Sequence, residues 1–271
     1  MPTPDRTSKL GIIAGGGALP GLLIAACQTQ GRSHYVLGLS GFADGATDAS
    51  IKLGEFGKGL DFLRTAGVRE IVMAGAVRRP ALSELKPDLK GAAFLARIAG
   101  RVLGDDGLLS AVIGEIEREG FKVVGVDDVL EDLLAKKGVW GRHQPDAAAL
   151  VDIALGFSAA RALGAADVGQ AVVIQQGAVL GVEGTEGTDA LLAYCADVLR
   201  DGPGGILVKV KKPQQERRAD LPSIGVTTVA RAKAAGLRGI AVQAGHTLVI
   251  GLREMIAAAD AAGIFVMGTE A

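Results

Sequence analysis

The sequence reads as an α/β protein of two domains, and three observations support that. The chain has 271 residues, more than one compact core usually organises. Hydrophobic residues make up 49% of it and aromatics only 4%, so Ala, Gly, Val, Leu and Ile supply the apolar mass, as in soluble α/β proteins. Short β-branched runs also alternate with segments of helical period through the first half, the pattern of strand–helix–strand units around a parallel sheet.

Residues 10–13 read as a strand, 21–30 as a helix and 35–39 as a second strand. Apolar runs at 51–56 and 71–74 add short strands, with 60–66 as the helical connection between them. Helical periodicity returns at 95–103 and 108–119, followed by a strand at 122–126. This makes residues 1–135 a Rossmann-like domain with a mainly parallel sheet. The stretch "KKGVWGRHQPDAAA" is basic, is broken by Gly and Pro, and holds the only Trp. Residues 136–145 are therefore read as a linker with the composition of a hinge, and Asp146 as the cap of a helix running to about residue 163.

The C-terminal α/β domain, 146–271, has a different texture. "VVIQQGAVLGVEG" looks like two strands joined by a tight Gln-Gly turn, hence an antiparallel pair in a mixed sheet. A helix at 189–199, a strand at 206–210, a helix at 228–235 and strands at 240–243 and 247–250 follow. A last helix and a strand at 264–267 complete the domain.

Charge and cysteine usage exclude several classes. Net charge is −1, so no global field attracts nucleic acid, and none is expected as a partner. Cys27 and Cys195 have neither metal-ligand spacing nor the pattern of a disulfide framework, which fits a reducing compartment. Arg6, Lys9 and the uncharged stretch to Cys27 imitate a lipoprotein signal, but Gly15-Gly16-Gly17 and Pro20 break the apolar run. No other stretch is expected to reach the roughly 20 apolar residues of a spanning helix. A cytoplasmic location is expected.

Five constellations carry chemistry. "GIIAGGGALPG" is a strand, a Gly-rich turn and a helix start, where backbone N–H groups and the helix end can hold a phosphate. It is a poor dinucleotide fingerprint, because Pro20 stands where the third glycine belongs and no acid directly follows the second strand. "GAVRRP" puts Arg78 and Arg79 after Gly75, at the carboxyl end of a strand. "LGDDGLL" offers Asp105 and Asp106, of which helix capping explains one. "GVEGTEGTDALL" gathers hydroxyls, carboxylates and glycines around Thr188 and Asp189, as a phosphate-bound Mg²⁺ site would.

The segment "KVKKPQQERRADLPSIG" crowds cations around one proline-fixed acid, Asp220. A solvated loop reads this way, and so does a site for phosphoryl transfer with cations on the phosphates and a carboxylate on metal or water. His34, His143 and His246 lack metal-ligand spacing, and no G-x-S-x-G elbow occurs, so nucleophilic serine or cysteine catalysis is disfavoured.

Together with "GIAVQAGHTLVIG", these blocks run in order from end to end and resemble the LpxI-type UDP-2,3-diacylglucosamine pyrophosphatases of lipid A biosynthesis. The resemblance implies Mg²⁺-dependent hydrolysis of an acylated UDP-sugar to UMP and 2,3-diacylglucosamine 1-phosphate (lipid X). It also implies an active site between two α/β domains and transient, peripheral contact with the inner-membrane surface; a homodimer stays open. The family pattern K-P-x-Q-D-x-R-x-D-L-P is matched by Lys212, Pro213, Gln215, Arg218, Asp220, Leu221 and Pro222, while Glu216 replaces the usual aspartate and Gln243 stands where glutamate is expected.

The candidate catalytic residues are Asp220, Arg218 and Lys212. Candidate substrate contacts are Gly15, Gly16, Leu19, Gly75, Arg79, Thr188, Asp189, Gln215 and His246, and candidate metal ligands are Asp105, Asp106, Asp189 and Asp220. Two rival readings are a non-catalytic nucleotide-sugar-binding protein and a dinucleotide-dependent oxidoreductase.

Overall fold

The β-branched runs of the first half form one parallel sheet. β1 (Leu10–Ala14) leads through α1 (Ala18–Thr29) to β2 (His34–Leu39) and β3 (Ala49–Ile51). Then come α2 (Phe56–Thr65), β4 (Glu70–Ala74), α3 (Leu89–Ile98), α4 (Asp105–Arg118), β5 (Lys122–Val124) and the short α5 (Val126–Val129). The strand order is β3-β2-β1-β4-β5 with every neighbouring pair parallel. The chain winds outward in one direction from β1 and in the other from β4. The carboxyl ends of β1 and β4 therefore flank a topological switch point, where open α/β sheets place ligands. Leu37, Leu63, Ile71, Ile113 and Ile116 fill the core on one side of this sheet.

The computed structural model describes residues 7–78, 85–98 and 105–270, apart from the side chains of Asp105 and Asp106. Packing divides the chain into two units: Met1–Asp132 with Glu216–Asp220, and Leu133–Gln215 with Leu221–Ala271. Five residues of the C-terminal half thus belong to the first unit.

Two local readings are corrected in this unit. The run 51–56 is not one strand: β3 stops at Ile51 and Phe56 begins α2. Phe56, Leu60 and Leu63 recur at helical spacing, and the Phe56 ring stacks on Phe94 at 5.7 Å. α3 starts at Leu89, well before residue 95, because Asp88 accepts the Gly91 N–H at 2.7 Å and caps the helix. Residues 99–104 lie outside the described ones.

The second unit begins with β6 (Gly138–Trp140), α6 (Ala147–Ala165), β7 (Ala171–Gln175), β8 (Ala178–Val182), α7 (Thr188–Val198) and β9 (Ile206–Lys209). It continues with β10 (Ser223–Gly225), α8 (Val226–Ala234), β11 (Gly239–Gln243), β12 (Leu248–Ile250), α9 (Leu252–Ala262) and β13 (Phe265–Thr269). The main sheet runs β6-β13-β11-β9-β7-β8, parallel among β13, β11 and β9 and antiparallel at both flanks, while β10 and β12 pair separately.

The Gln-Gly turn is a two-residue hairpin with φ of 51° at Gln176 and 74° at Gly177. Both central residues are left-handed, as a type I′ turn requires. Asp152 makes that tolerable for glutamine, since its buried carboxylate accepts the N–H groups of Gln176 and Gly177 at 3.0 and 2.7 Å.

The stretch read as a linker carries β6, which pairs with β13, so its middle is an edge strand of the second sheet. Asp146 caps α6 as expected, accepting the Ala149 N–H at 2.7 Å. By length and composition α6 could cross a bilayer, contrary to expectation, yet its Ala149, Ile153, Phe157 and Ala160 side is buried in a core cluster with Val172 and Val208.

Candidate active site

At the carboxyl edge of the first sheet, the glycine turn is stitched to the loop after β4. The Gly15 N–H donates to Ala74 O at 2.8 Å and the Gly16 N–H to Ala76 O at 3.0 Å, while Ala76 N–H returns a bond to Gly16 O at 2.8 Å. A Cβ on Gly15 would lie 2.7 Å from Ala76 O, and one on Gly75 would lie 2.7 Å from the Gly15 carbonyl carbon. Close backbone approach is therefore the reason for these glycines. The Gly17 N–H, ahead of α1, donates to Asp44 Oδ2 at 3.1 Å.

The amides of Gly15 and Gly16 are thus spent on carbonyls, and a carboxylate of the chain itself stands at the helix start. Leu19 is half-buried in the first turn of α1, and Gly75 has a φ of 99°. Arg79 falls outside the described residues, as do the side chains of Asp105 and Asp106, both of which lie in the first turn of α4.

The second unit holds a connected polar chain where β8 and β9 end and β7 begins. Glu183 and Lys209 are only 5% and 8% exposed. The Lys209 ammonium donates to Thr188 Oγ1 at 3.0 Å and to Ser223 O at 3.3 Å, and the Thr188 hydroxyl donates to Glu183 Oε1. Glu183 Oε2 accepts the Gln170 N–H at 2.8 Å. Gln170 Oε1 in turn accepts from Gln215 Nε2 at 3.2 Å, and Gln215 Oε1 takes the Lys212 N–H at 3.1 Å.

Thr188 is thus not a cap, a position that falls to Gly187 with φ of 83°. Its hydroxyl is engaged both as donor and as acceptor. Lys212 directs its ammonium to Asp167 at 2.8 Å. Gln243, standing where glutamate was expected, accepts the Lys211 N–H at 3.0 Å through its amide oxygen. His246 is half-buried in the turn after β11, where its N–H donates to Gln243 O at 3.3 Å.

Asp189 is 57% exposed at its side chain and pairs with Arg231 at 2.9 Å. Among the described residues no group of three His, Cys, Asp or Glu side chains could hold a metal ion.

Arg218 and Asp220 lie in the Glu216–Asp220 segment of the first unit. Arg218 grips Glu216 with two donors at 3.0 Å and reaches Glu117 at 2.7 Å, and hydrogen bonding to Glu216 raises its pKa. Arg217 donates twice to Asp127, and Ala219 packs against the core that holds Leu37 and Ile116. Asp220 closes one turn, its N–H donating to Glu216 O at 2.9 Å. The sequence reading missed Asp44, Glu183, Gln170 and Asp127. Burial of a charged group marks only Glu183 and Asp127, and nothing in local spacing announces burial.

Fold and polar edges together define a two-unit α/β protein with a parallel sheet in the first unit and a mixed sheet in the second, each with hydrogen-bonded polar groups at the carboxyl ends of its strands. The LpxI N-terminal domain profile matches residues 9–133 and the LpxI C-terminal domain profile matches residues 136–267. A curated relative from Caulobacter vibrioides, the UDP-2,3-diacylglucosamine pyrophosphatase LpxI, is 42% identical over 273 residues, covering 97% of this chain and 98% of the relative. The chain belongs to the LpxI family.

Proposed function

We propose that the chain is a UDP-2,3-diacylglucosamine pyrophosphatase of lipid A synthesis, releasing UMP and 2,3-diacylglucosamine 1-phosphate. One observation carries the reading: a relative of that name aligns with 97% of the chain. The substrate reaches the protein as an acylated UDP-sugar at the inner-membrane face, which makes the enzyme a cytoplasmic, peripheral visitor to that surface.

In the reaction, the oxygen of water forms a bond to one phosphorus, the bridging P–O bond breaks, and a proton leaves the water. Asp220 is the carboxylate for that proton or for orienting the water. Arg218 fixes the turn that bears Asp220, since its donors are committed to Glu216 and Glu117. Lys212 brings positive charge to the edge of the second sheet, and Gln215 pins the Lys212 turn through the Lys212 N–H.

Mg²⁺ would be held by one carboxylate, Asp220, and by the substrate phosphates, since no group of three His, Cys, Asp or Glu side chains among the described residues could cage it. When bound, such an ion offsets phosphate charge and acidifies water.

The test is incubation of the purified protein with UDP-2,3-diacylglucosamine and Mg²⁺, following UMP and the sugar 1-phosphate. Stoichiometric release of both is expected. Tight binding of the UDP-sugar with no UMP formed would overturn hydrolysis in favour of a binding protein.

A further inference from the structure

Arg217 adjoins the candidate catalytic residues without being one of them, and it has an unusual partner. Its Nε and Nη2 both donate to a single oxygen, Asp127 Oδ2, at 2.8 and 2.6 Å. Asp127 is 5% exposed, and its other oxygen, Oδ1, is buried and has no hydrogen-bond partner among the described residues. Burying a carboxylate is costly, and a pair that leaves one oxygen unsatisfied recovers less of that cost. Stability is therefore a weak reason for this pair; placement is a better one.

Asp127 lies in α5, directly after β5, at the carboxyl end of the first sheet. Gly125 just before it leaves no room to spare, since a Cβ there would meet Asp127 Oδ1 at 2.4 Å. Asp128 Oδ2 accepts the Gly125 N–H at 2.8 Å, which ties this turn down. Asp127 is thus a fixed post on a strand end. Arg217 sits within Glu216–Asp220, the stretch whose sequence neighbours on both sides belong to the other unit. One turn further on comes Asp220, whose N–H is bonded to Glu216 O.

We propose that the Asp127–Arg217 pair is the positioning device for Asp220, setting its carboxylate from the β5 edge of the first unit. This rests on Asp220 acting in the hydrolysis as described above. Arg217 is a positioning residue and touches no substrate. A displacement of the reacting group by about 1 Å can cost about 10²-fold in rate, so losing the post should act on turnover.

The experiment compares Arg217→Met, Arg217→Lys, Asp127→Asn, Asp127→Ala and the double variant Asp127→Ala/Arg217→Met in the full chain. Arg217→Met should lower kcat about 10- to 100-fold with KM within about twofold. Arg217→Lys keeps the charge but not the two-pronged donation, so it should restore only part of the rate. Asp127→Asn keeps an acceptor oxygen and should outperform Asp127→Ala. Arg217→Met leaves a buried carboxylate without its cation. The double variant removes both groups, so its fold is spared and it carries the test alone if the single variant does not fold. Acting as a unit, the pair should lose no more in the double variant than in either single one.

In an Asp220→Ala background, Arg217→Met should not lower the residual rate further. A normal kcat in the folded double variant, or a raised KM at unchanged kcat, would overturn the positioning role while leaving Asp220 standing. Full turnover by Asp220→Ala would sink both, since no carboxylate would then need placing.

Discussion

Asp220 and Thr188 make different demands on their surroundings, and each yields a prediction. Asp220 ends a turn held by its own N–H, by Arg218 and by Arg217, and Pro222 limits the backbone just beyond it. Asp220→Ala is expected to lower kcat by about 10² to 10⁴. Affinity should hold, because a negative charge beside the pyrophosphate has been removed. Measuring kcat beside direct substrate affinity checks both halves, and a near-normal rate would reduce the segment to a basic turn. Thr188 is the bridge between two buried charges, Lys209 and Glu183. Thr188→Val keeps the shape and removes the hydroxyl, so about 1–3 kcal/mol of stability should go with each group left unsatisfied. Thr188→Ser should retain most of it in urea denaturation. Equal stability of the Val and Ser variants would show that the hydroxyl holds nothing.

At the scale of elements, Asp88 joins two helices. Its Oδ1 accepts the Gly91 N–H in α3 at 2.7 Å and its Oδ2 the Lys58 N–H in α2 at 2.9 Å. Burial pushes its pKa up, but the N–H groups of Gly91, Lys58 and Gly57 outweigh burial and hold it below the ordinary aspartate value. A carboxylate whose folded pKa is depressed contributes stability above its unfolded pKa and loses it as pH falls through the folded one. Asp88→Ala should therefore cost about 1 kcal/mol at neutral pH, the usual worth of a cap. Melting both proteins across pH 7 to 3 should show the gap closing in acid. A gap that stays constant would mean that the carboxylate charge is not what ties α2 to α3.

At the scale of the whole molecule, the chain passes between its two units at three places: after Asp132, after Gln215 and after Asp220. The acid proposed for the chemistry and the Lys212–Gln215 turn thus belong to different units. Two properties of the entire enzyme follow from the proposed function. Turnover should fall to background on exhaustive chelation with EDTA and return with Mg²⁺, and full activity after chelation would remove the metal from the mechanism. With net charge −1, membrane attachment should depend on the acylated substrate rather than on a basic surface. Cell fractionation after a salt wash should recover the protein largely in the supernatant, and recovery only with detergent would count against a peripheral visitor.

What the sequence determined by itself is what depends on near neighbours. The alternation of strand and helix, the Gln176-Gly177 hairpin and the Asp146 cap follow from side-chain period, backbone freedom and short-range hydrogen bonds, all of which act within a few residues. The family was legible for a similar reason, as its blocks are contiguous strings. Only the tertiary structure decided whom each polar group meets. Asp44 takes the Gly17 N–H from 27 residues away, Arg217 reaches Asp127 across 90, and Asp189 turns to Arg231. It also decided that 138–140 joins a sheet rather than a hinge and that Glu216–Asp220 packs with the first unit. A residue's charge and hydrogen-bonding capacity are written in its type, but the partner that satisfies them is chosen by the path of the folded chain, where burial makes an unmet polar group costly.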